Sequence, residues 1–146
     1  MAYVSQEMKK SLAPAIKSVL KKYGFKGTIG VHNHSSLVVN IKSGVLDLIG
    51  IANAKNKEIS ERRNMPYYAN EGYFQANPYH PDQYGEASQF FEELVAAMKG
   101  AFSKDGPKWY DNSDAMIDYF DTAYYLDINV GKWDKPYVCT ALEEAA

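Results

Sequence analysis

The stretch Thr28-Ile29-Gly30-Val31-His32-Asn33-His34-Ser35-Ser36-Leu37-Val38-Val39-Asn40-Ile41-Lys42 decides the fold class. Its two ends alternate apolar and polar residues with a period of two, the signature of strands that bury one face. Leu37, Val39 and Ile41 share that face. Between them Asn33-His34-Ser35-Ser36 supplies a polar turn, so the segment reads as a β-hairpin. Ser43-Gly44 ends its second strand.

On the N-terminal side a helix is expected from Ser5 to Tyr23. Met8, Leu12, Ile16, Val19, Leu20 and Tyr23 recur at helical spacing, and Lys9, Lys10, Lys17, Lys21 and Lys22 lie mostly off that stripe. Ser5 suits the N-cap and Glu7 the first turn, while Lys21 and Lys22 in the last turn complement the helix dipole before Gly24. Pro14 removes a donor inside the run, and a kink is expected there because the stripe keeps its phase through it.

On the C-terminal side Val45 to Ile51 is apolar without a decisive period, and Ala52 to Arg63 is a polar, surface-exposed helix. Asn64 to Tyr84 is rich in Pro, Gly, Asn and Tyr. Within it Gly72-Tyr73-Phe74-Gln75-Ala76-Asn77 reads as a strand whose end is marked by Pro78 and Pro81. A second strong helix is expected from Asp82 to about Phe102, with Phe90, Phe91, Leu94, Val95 and Met98 on its apolar face. Asp111 to Ala123 reads as a short helix or turn and Tyr124 to Val130 as a strand. Gly131 to Tyr137 then turns away into a tail expected to fray over 137–146. The elements add up to one α+β domain, 1–146: a small, mostly antiparallel sheet of about four strands with two long amphipathic helices packed on one face.

A chain of 146 residues is long enough to bury a core without disulfides. Hydrophobic residues at 46% and charged residues at 23% exclude a disordered or fibrous class. The single cysteine, Cys139, excludes an internal disulfide and an all-cysteine metal cage. No apolar run reaches the ~20 residues of a membrane-spanning helix. The first residues lack the basic flank and apolar core of a signal peptide, so a cytoplasmic protein is expected. The net charge of −2 hides an asymmetry. Residues 1–63 carry eleven Lys/Arg against four acids and residues 64–146 five Lys against fourteen acids, or +7 and −9. Either the halves neutralise each other in the fold, or they leave local potentials for a partner.

Catalytic signatures are missing. There is no Gly-x-Ser-x-Gly elbow, no P-loop and no dinucleotide fingerprint. His32 and His34 flank a turn and His80 is remote in sequence, without zinc spacing, so surface histidines are the simpler reading and no metal or cofactor is expected. Cys139 has no motif around it and reads as a small apolar residue. Two features remain. Asp111, Asp114, Asp118 and Asp121 are spaced three, four and three, one stripe of carboxylates if helical, with no Lys or Arg from Asp111 to Gly131. With Tyr110, Tyr119, Tyr124 and Tyr125 they suggest an acidic, tyrosine-rich surface for a basic protein partner, against the simpler reading of a solvated face. The alternative is a nucleic-acid-binding module using Lys9, Lys10, Lys17, Lys21 and Lys22 with Arg62 and Arg63. Tyr67, Tyr68, Tyr73, Phe74, Tyr79 and Tyr84 have the rings for stacking bases, but they belong to the acidic half, where phosphate is expected to be repelled. Self-association is left open and no membrane contact is expected.

Several runs also carry a resemblance: Tyr3-Val4-Ser5-Gln6, Leu12-Ala13-Pro14, Lys22-Tyr23-Gly24, His34-Ser35-Ser36, Ile41-Lys42-Ser43-Gly44, Asn77-Pro78-Tyr79, Asp118-Tyr119-Phe120-Asp121 and Asn129-Val130-Gly131-Lys132-Trp133-Asp134-Lys135-Pro136-Tyr137. Over nearly its whole length the chain resembles small phage, prophage and plasmid proteins related to the large polyvalent protein-associated domains. The resemblance implies a non-enzymatic accessory protein of a mobile element in the cytoplasm of the host cell. It implies a role in countering host defence or assisting incoming DNA, and with the acidic, tyrosine-rich surface it suggests a protein that binds a host macromolecule and inhibits a defence or nucleic-acid-processing system. It brings no catalytic residues. His32 stands where the resemblance leads one to expect a basic residue, which counts against a phosphate-binding hairpin.

Overall fold

The computed structural model describes residues 3–67, 69, 72–76, 78, 81–100, 109, 124–132 and 134–140. Helix α1 spans Gln6–Lys22. Its start is fixed by a capping box in which Ser5 Oγ accepts from the Met8 amide at 3.1 Å and Met8 Sδ accepts from the Ser5 amide. The helix runs through Pro14 as one element and closes at Gly24, whose φ of 79° suits glycine. Leu12, Ile16, Val19 and Leu20 are its buried stripe, as the periodicity predicts.

Strands β1 (Phe25–His32) and β2 (Ser36–Gly44) form the expected antiparallel hairpin, longer at both ends than the alternation alone marks. Its turn holds Asn33 and His34 at φ of 52° and 56°. Both lie in the left-handed region, which glycine occupies at least cost, within the three-residue connection Asn33-His34-Ser35 that the Ser35 amide closes on His32 O at 3.2 Å. The apolar run after Gly44 resolves into a bend followed by helix α2, Leu48–Arg62, capped by Asp47 Oδ1 on the Gly50 amide. Only Leu48 and Ala52 of α2 are buried, in keeping with its polar composition. Strand β3 is short, Phe74–Ala76. The second apolar helix, α3, is Ser88–Met98. The expected start at Asp82 is not met: two 3-10 turns, Pro81–Gln83 and Gly85–Ala87, precede the α-helix. Gly85 at φ 53° interrupts the α-helical path there.

Strands β4 (Tyr125–Val130) and β5 (Val138–Cys139) complete a five-stranded sheet of order β1-β2-β4-β3, with β5 also on β2. The α+β class stands, but the sheet is mixed. β4 and β5 run parallel to β2, whereas β1–β2 and β3–β4 are antiparallel. A parallel neighbour needs a long crossover, and the chain from α2 to α3 supplies it. β1 fills one edge of β2 as far as Gly44, so β4 and β5 share the other edge, interrupted by a detour over 131–137. The detour turns on Gly131 at φ 71°. A Cβ there would lie 2.4 Å from the Gly72 carbonyl oxygen and 2.6 Å from the Tyr137 nitrogen. Tyr137 is buried, donates its amide to Gly72 O at 2.7 Å and its hydroxyl to Leu46 O at 2.5 Å. The expected fraying therefore does not begin at 137; residues 141–146 lie outside the described residues.

Leu37, Val39, Ile41, Ile128 and Val130 line one face of the sheet, and α1 and α3 cover it. Between sheet and helices runs a chain of rings. Phe25 stacks on Phe90 at 4.1 Å, Phe90 meets Phe91 at 5.0 Å, and Phe91 meets Tyr84 at 4.8 Å. Tyr23 donates its hydroxyl to Glu93, and Lys22 pairs with the same carboxylate at 2.8 Å, pinning α1 to α3 at the rim.

The turn offers a direct check of this geometry. His34→Gly replaces a strained side chain by the residue that the left-handed conformation favours, and its carbonyl bond from Val4 survives the change. Urea unfolding is expected to show a gain of up to about 1 kcal/mol. A loss of stability would contradict the turn conformation.

Candidate functional site

Helix α1 displays its lysines as the period of 3.6 requires. Lys10, Lys17 and Lys21 are exposed and follow one another at seven and four residues, so they form a single stripe turned away from the buried one. Eleven residues of helix extend this stripe over about 16 Å. Among the described residues none of the three has an ion-pair partner, whereas Lys22 is held by Glu93. Arg62 and Arg63 are exposed at the end of α2 rather than on α1, and Arg62 is engaged by Glu58 at 3.2 Å. The lysines expected to act together are therefore mostly together, and the arginines belong to another helix.

Tyr110, Asp111, Asp114, Asp118, Tyr119 and Asp121 lie outside the described residues. The two remaining members of that set separate. Tyr125 is 48% exposed, whereas Tyr124, expected on the contact surface, is fully buried and donates its hydroxyl to Met98 O at 2.5 Å. The alternation of β4 explains the correction: Tyr124 shares the core face with Leu126 and Ile128, and Tyr125 takes the opposite one. Trp109 braces the same corner, its indole donating to Tyr124 O at 2.7 Å and its amide to Lys99 O at 3.0 Å. Lys99 Nζ stands 4.4 Å from the centre of its ring.

The structure also holds a concavity that the sequence does not announce. An open cleft of about 1010 Å³ lies between α2, the β3 edge and the loop after β4. Asn40, Asn129 and Gln75 line it from the sheet, Lys55 and Asn56 from α2, Lys132 and Asp134 from the loop, and Tyr73, Phe74 and Tyr84 add rings. Asn129 Nδ2 donates to Asn40 Oδ1 at 3.2 Å, and Gln75 Nε2 to Asp127 Oδ1 at 2.5 Å. A signal was present in the sequence. Asn40 and Asn129 are carboxamides set inside strands, where asparagine is disfavoured. What the sequence lacked was the pairing that sets them side by side.

No family model, curated protein or solved structure matches the chain. The site is therefore read from its own chemistry. No group of three or more His, Cys, Asp or Glu among the described residues is placed to hold a metal. His32 and His34 are exposed beside the hairpin turn, with the His32 ring 3.1 Å from Asn33 Nδ2; His80 lies outside the described residues. Cys139 is partly buried against Val45 O at 3.7 Å. No helix among the described residues is long and apolar enough to cross a membrane.

Burial pushes the Tyr124 phenol up from 10.0 to about 12. The Tyr137 phenol is pushed higher still, by burial first and then by Cys139 and Asp47. Above pH 10 an unfolded chain gives up phenolic protons that these two folded groups retain. The folded state then binds more protons, so this stabilisation is complete below pH 10 and is lost as pH rises through the folded values. Tyr124→Phe is expected to cost about 1–3 kcal/mol at neutral pH, because Met98 O is left without its donor. The same variant is expected to lose stability less steeply above pH 10 in denaturant titrations. A variant as stable as the wild type, with an unchanged alkaline limb, would refute the buried hydrogen bond.

Proposed function

We propose that this protein is a non-enzymatic binding module for nucleic acid, which it grips by the phosphate backbone through the exposed face of α1. The observation that carries the reading is the stripe of Lys10, Lys17 and Lys21, unaccompanied by any acid pair among the described residues. Three ammonium groups along about 16 Å of helix span between four and five base steps of ~3.4 Å, a spacing suited to successive phosphates. Lysine contributes point charges rather than the bidentate fork of arginine, so the contact is sequence-independent. A cytoplasmic accessory protein of a mobile element, as the resemblance implies, meets such a ligand in its host cell.

A second reading has its own observation. Tyr125 is exposed at the start of β4, in the half of the chain, 64–146, that carries fourteen acids against five lysines. A basic host protein contacting Tyr125 together with Tyr110, Asp111, Asp114, Asp118, Tyr119 and Asp121 follows from it.

Fluorescence anisotropy with a short DNA duplex tests the first reading. Binding at low salt is expected to weaken with a log–log slope of about −2.7, one part for each of three phosphates. The triple variant Lys10→Glu/Lys17→Glu/Lys21→Glu is expected to abolish it while leaving the unfolding transition in place. Absence of binding at low salt, or a slope unchanged in the triple variant, would overturn the assignment.

A further inference from the structure

The face of the sheet turned away from α1 and α3 carries a row of polar side chains. The register sets Thr28 against Asn40, Asn40 against Asn129, and Asn129 against Gln75, across four strands. A carboxamide offers two N–H donors and one oxygen with two lone pairs. Their mutual bond satisfies one donor of Asn129 and the oxygen of Asn40. The pair thus presents outward a donor on Asn40 next to an acceptor on Asn129. Turning both amides over exchanges the two roles and leaves the same adjacent donor and acceptor. Gln75, tied through its nitrogen to Asp127, keeps its oxygen for the cleft. β-Branched residues serve the middle of a sheet better than asparagine at both positions, so these amides are costly for the fold and apt for a ligand.

Around this row stand two other kinds of group. Tyr73, the residue before β3, lines the cleft together with Gln75 and is 47% exposed. Lys55 of α2, whose ammonium also lies 3.9 Å from Glu58, and Lys132 of the loop supply two ammonium groups to the lining, where Asp134 is the one carboxylate and Asp127 is tied to Gln75. Paired donor and acceptor, an aromatic plane and net positive charge are the three requirements of a nucleotide: base edge, base face and phosphate. Lys55 comes from the basic half of the chain and Tyr73 from the acidic half. The fold joins them, which sets an ammonium group in the same cleft as Tyr73 despite the acidic balance of its half of the chain. A saccharide would use the amides and the ring but has no need of the cations.

We infer that the cleft is a nucleotide site, filled either by a free nucleotide or by one unit of a single strand. Asn40 and Asn129 read the base edge, Tyr73 stacks on the base, and Lys55 and Lys132 take the phosphate. This site lies on the opposite side of the sheet from the lysine stripe of α1 and does not depend on it.

Nitrogen-15 NMR of the full chain follows the side-chain amide signals of Asn40 and Asn129 during titration with UMP, AMP, oligouridylate, ribose 5-phosphate and glucose. UMP or AMP is expected to shift both signals and to bind at least about tenfold more tightly than ribose 5-phosphate. Tyr73→Ala, an exposed position, is expected to weaken binding about tenfold, and Lys132→Ala to weaken it and lower its salt dependence. Tighter binding of oligouridylate than of UMP identifies a single strand as the occupant; equal affinities identify the free nucleotide. Either outcome supports the site. The α1 triple variant is expected to leave the UMP titration unchanged, which separates this inference from the duplex-binding reading. The inference is overturned if no probe shifts the two amides, if ribose 5-phosphate or glucose binds as well as the nucleotides, or if Tyr73→Ala has no effect.

Discussion

The parallel pairing of β4 along β2 is the contact on which the rest of the molecule depends. It sets Leu37 beside Leu126, Val39 beside Ile128 and Ile41 beside Val130, so that two separately apolar strand faces become one surface for α1 and α3. The same register sets Asn40 beside Asn129 on the other surface. A slip of one residue would turn both outcomes over at once, driving Asn129 into the core and an isoleucine or valine into the cleft. Core and cleft are therefore two sides of one register, and the core, with its fully buried Val39 and Ile128, is what enforces it. The detour at Gly131 preserves the arrangement, because it lets the chain leave the edge of β2 and return to it as β5.

Strands β1 to β4 were legible in the sequence and their neighbours were not, while β5 falls inside the expected tail. Alternation in Leu37 to Ile41 and in Leu126 to Val130 names the buried face but carries nothing about partner or direction. The hairpin is the exception, since a short turn leaves an antiparallel pairing as the outcome. The parallel strand was hidden because its partner lies 89 residues away, beyond any local signal. Similar reasons account for the smaller departures. Residues 81–87 carry helical composition, but Gly85 adopts a left-handed φ. Tyr124 and Tyr125 are the same residue type in adjacent positions, and only the strand's phase buries one and exposes the other. Tyr137 was assigned to a tail because nothing local indicates that its hydroxyl reaches Leu46 O.

Charge shows the same division between what is local and what is not. The lysine stripe of α1 is a property of one helix and could be counted from its spacing. How the +7 and −9 halves meet could not. They neutralise each other at a defined place, where Lys22 and Tyr23 share Glu93 between α1 and α3. They combine without neutralising at another, where Lys55 enters a cleft with Tyr73 and Gln75. The first contact is structural: a partly exposed pair whose direct contribution to stability is small. It also leaves Lys10, Lys17 and Lys21 outside its reach, which is why the far side of α1 stays basic.

The stripe and the cleft differ in physics as well as in position, and this decides how they can work together. On the proposed reading, the stripe acts by counterion release, is blind to sequence and fades with salt. The cleft offers a ring and fixed amides, whose attractions are short-ranged and persist at high ionic strength. Between them stand at least the sheet and the thickness of a helix, ~10 Å, more than the ~8 Å over which exposed charges sense one another at physiological ionic strength. Neither can tune the other electrostatically. Any cooperation has to come through a single ligand long enough to touch both, in which case the gain is one of effective concentration along that polymer and not of altered affinity at either place.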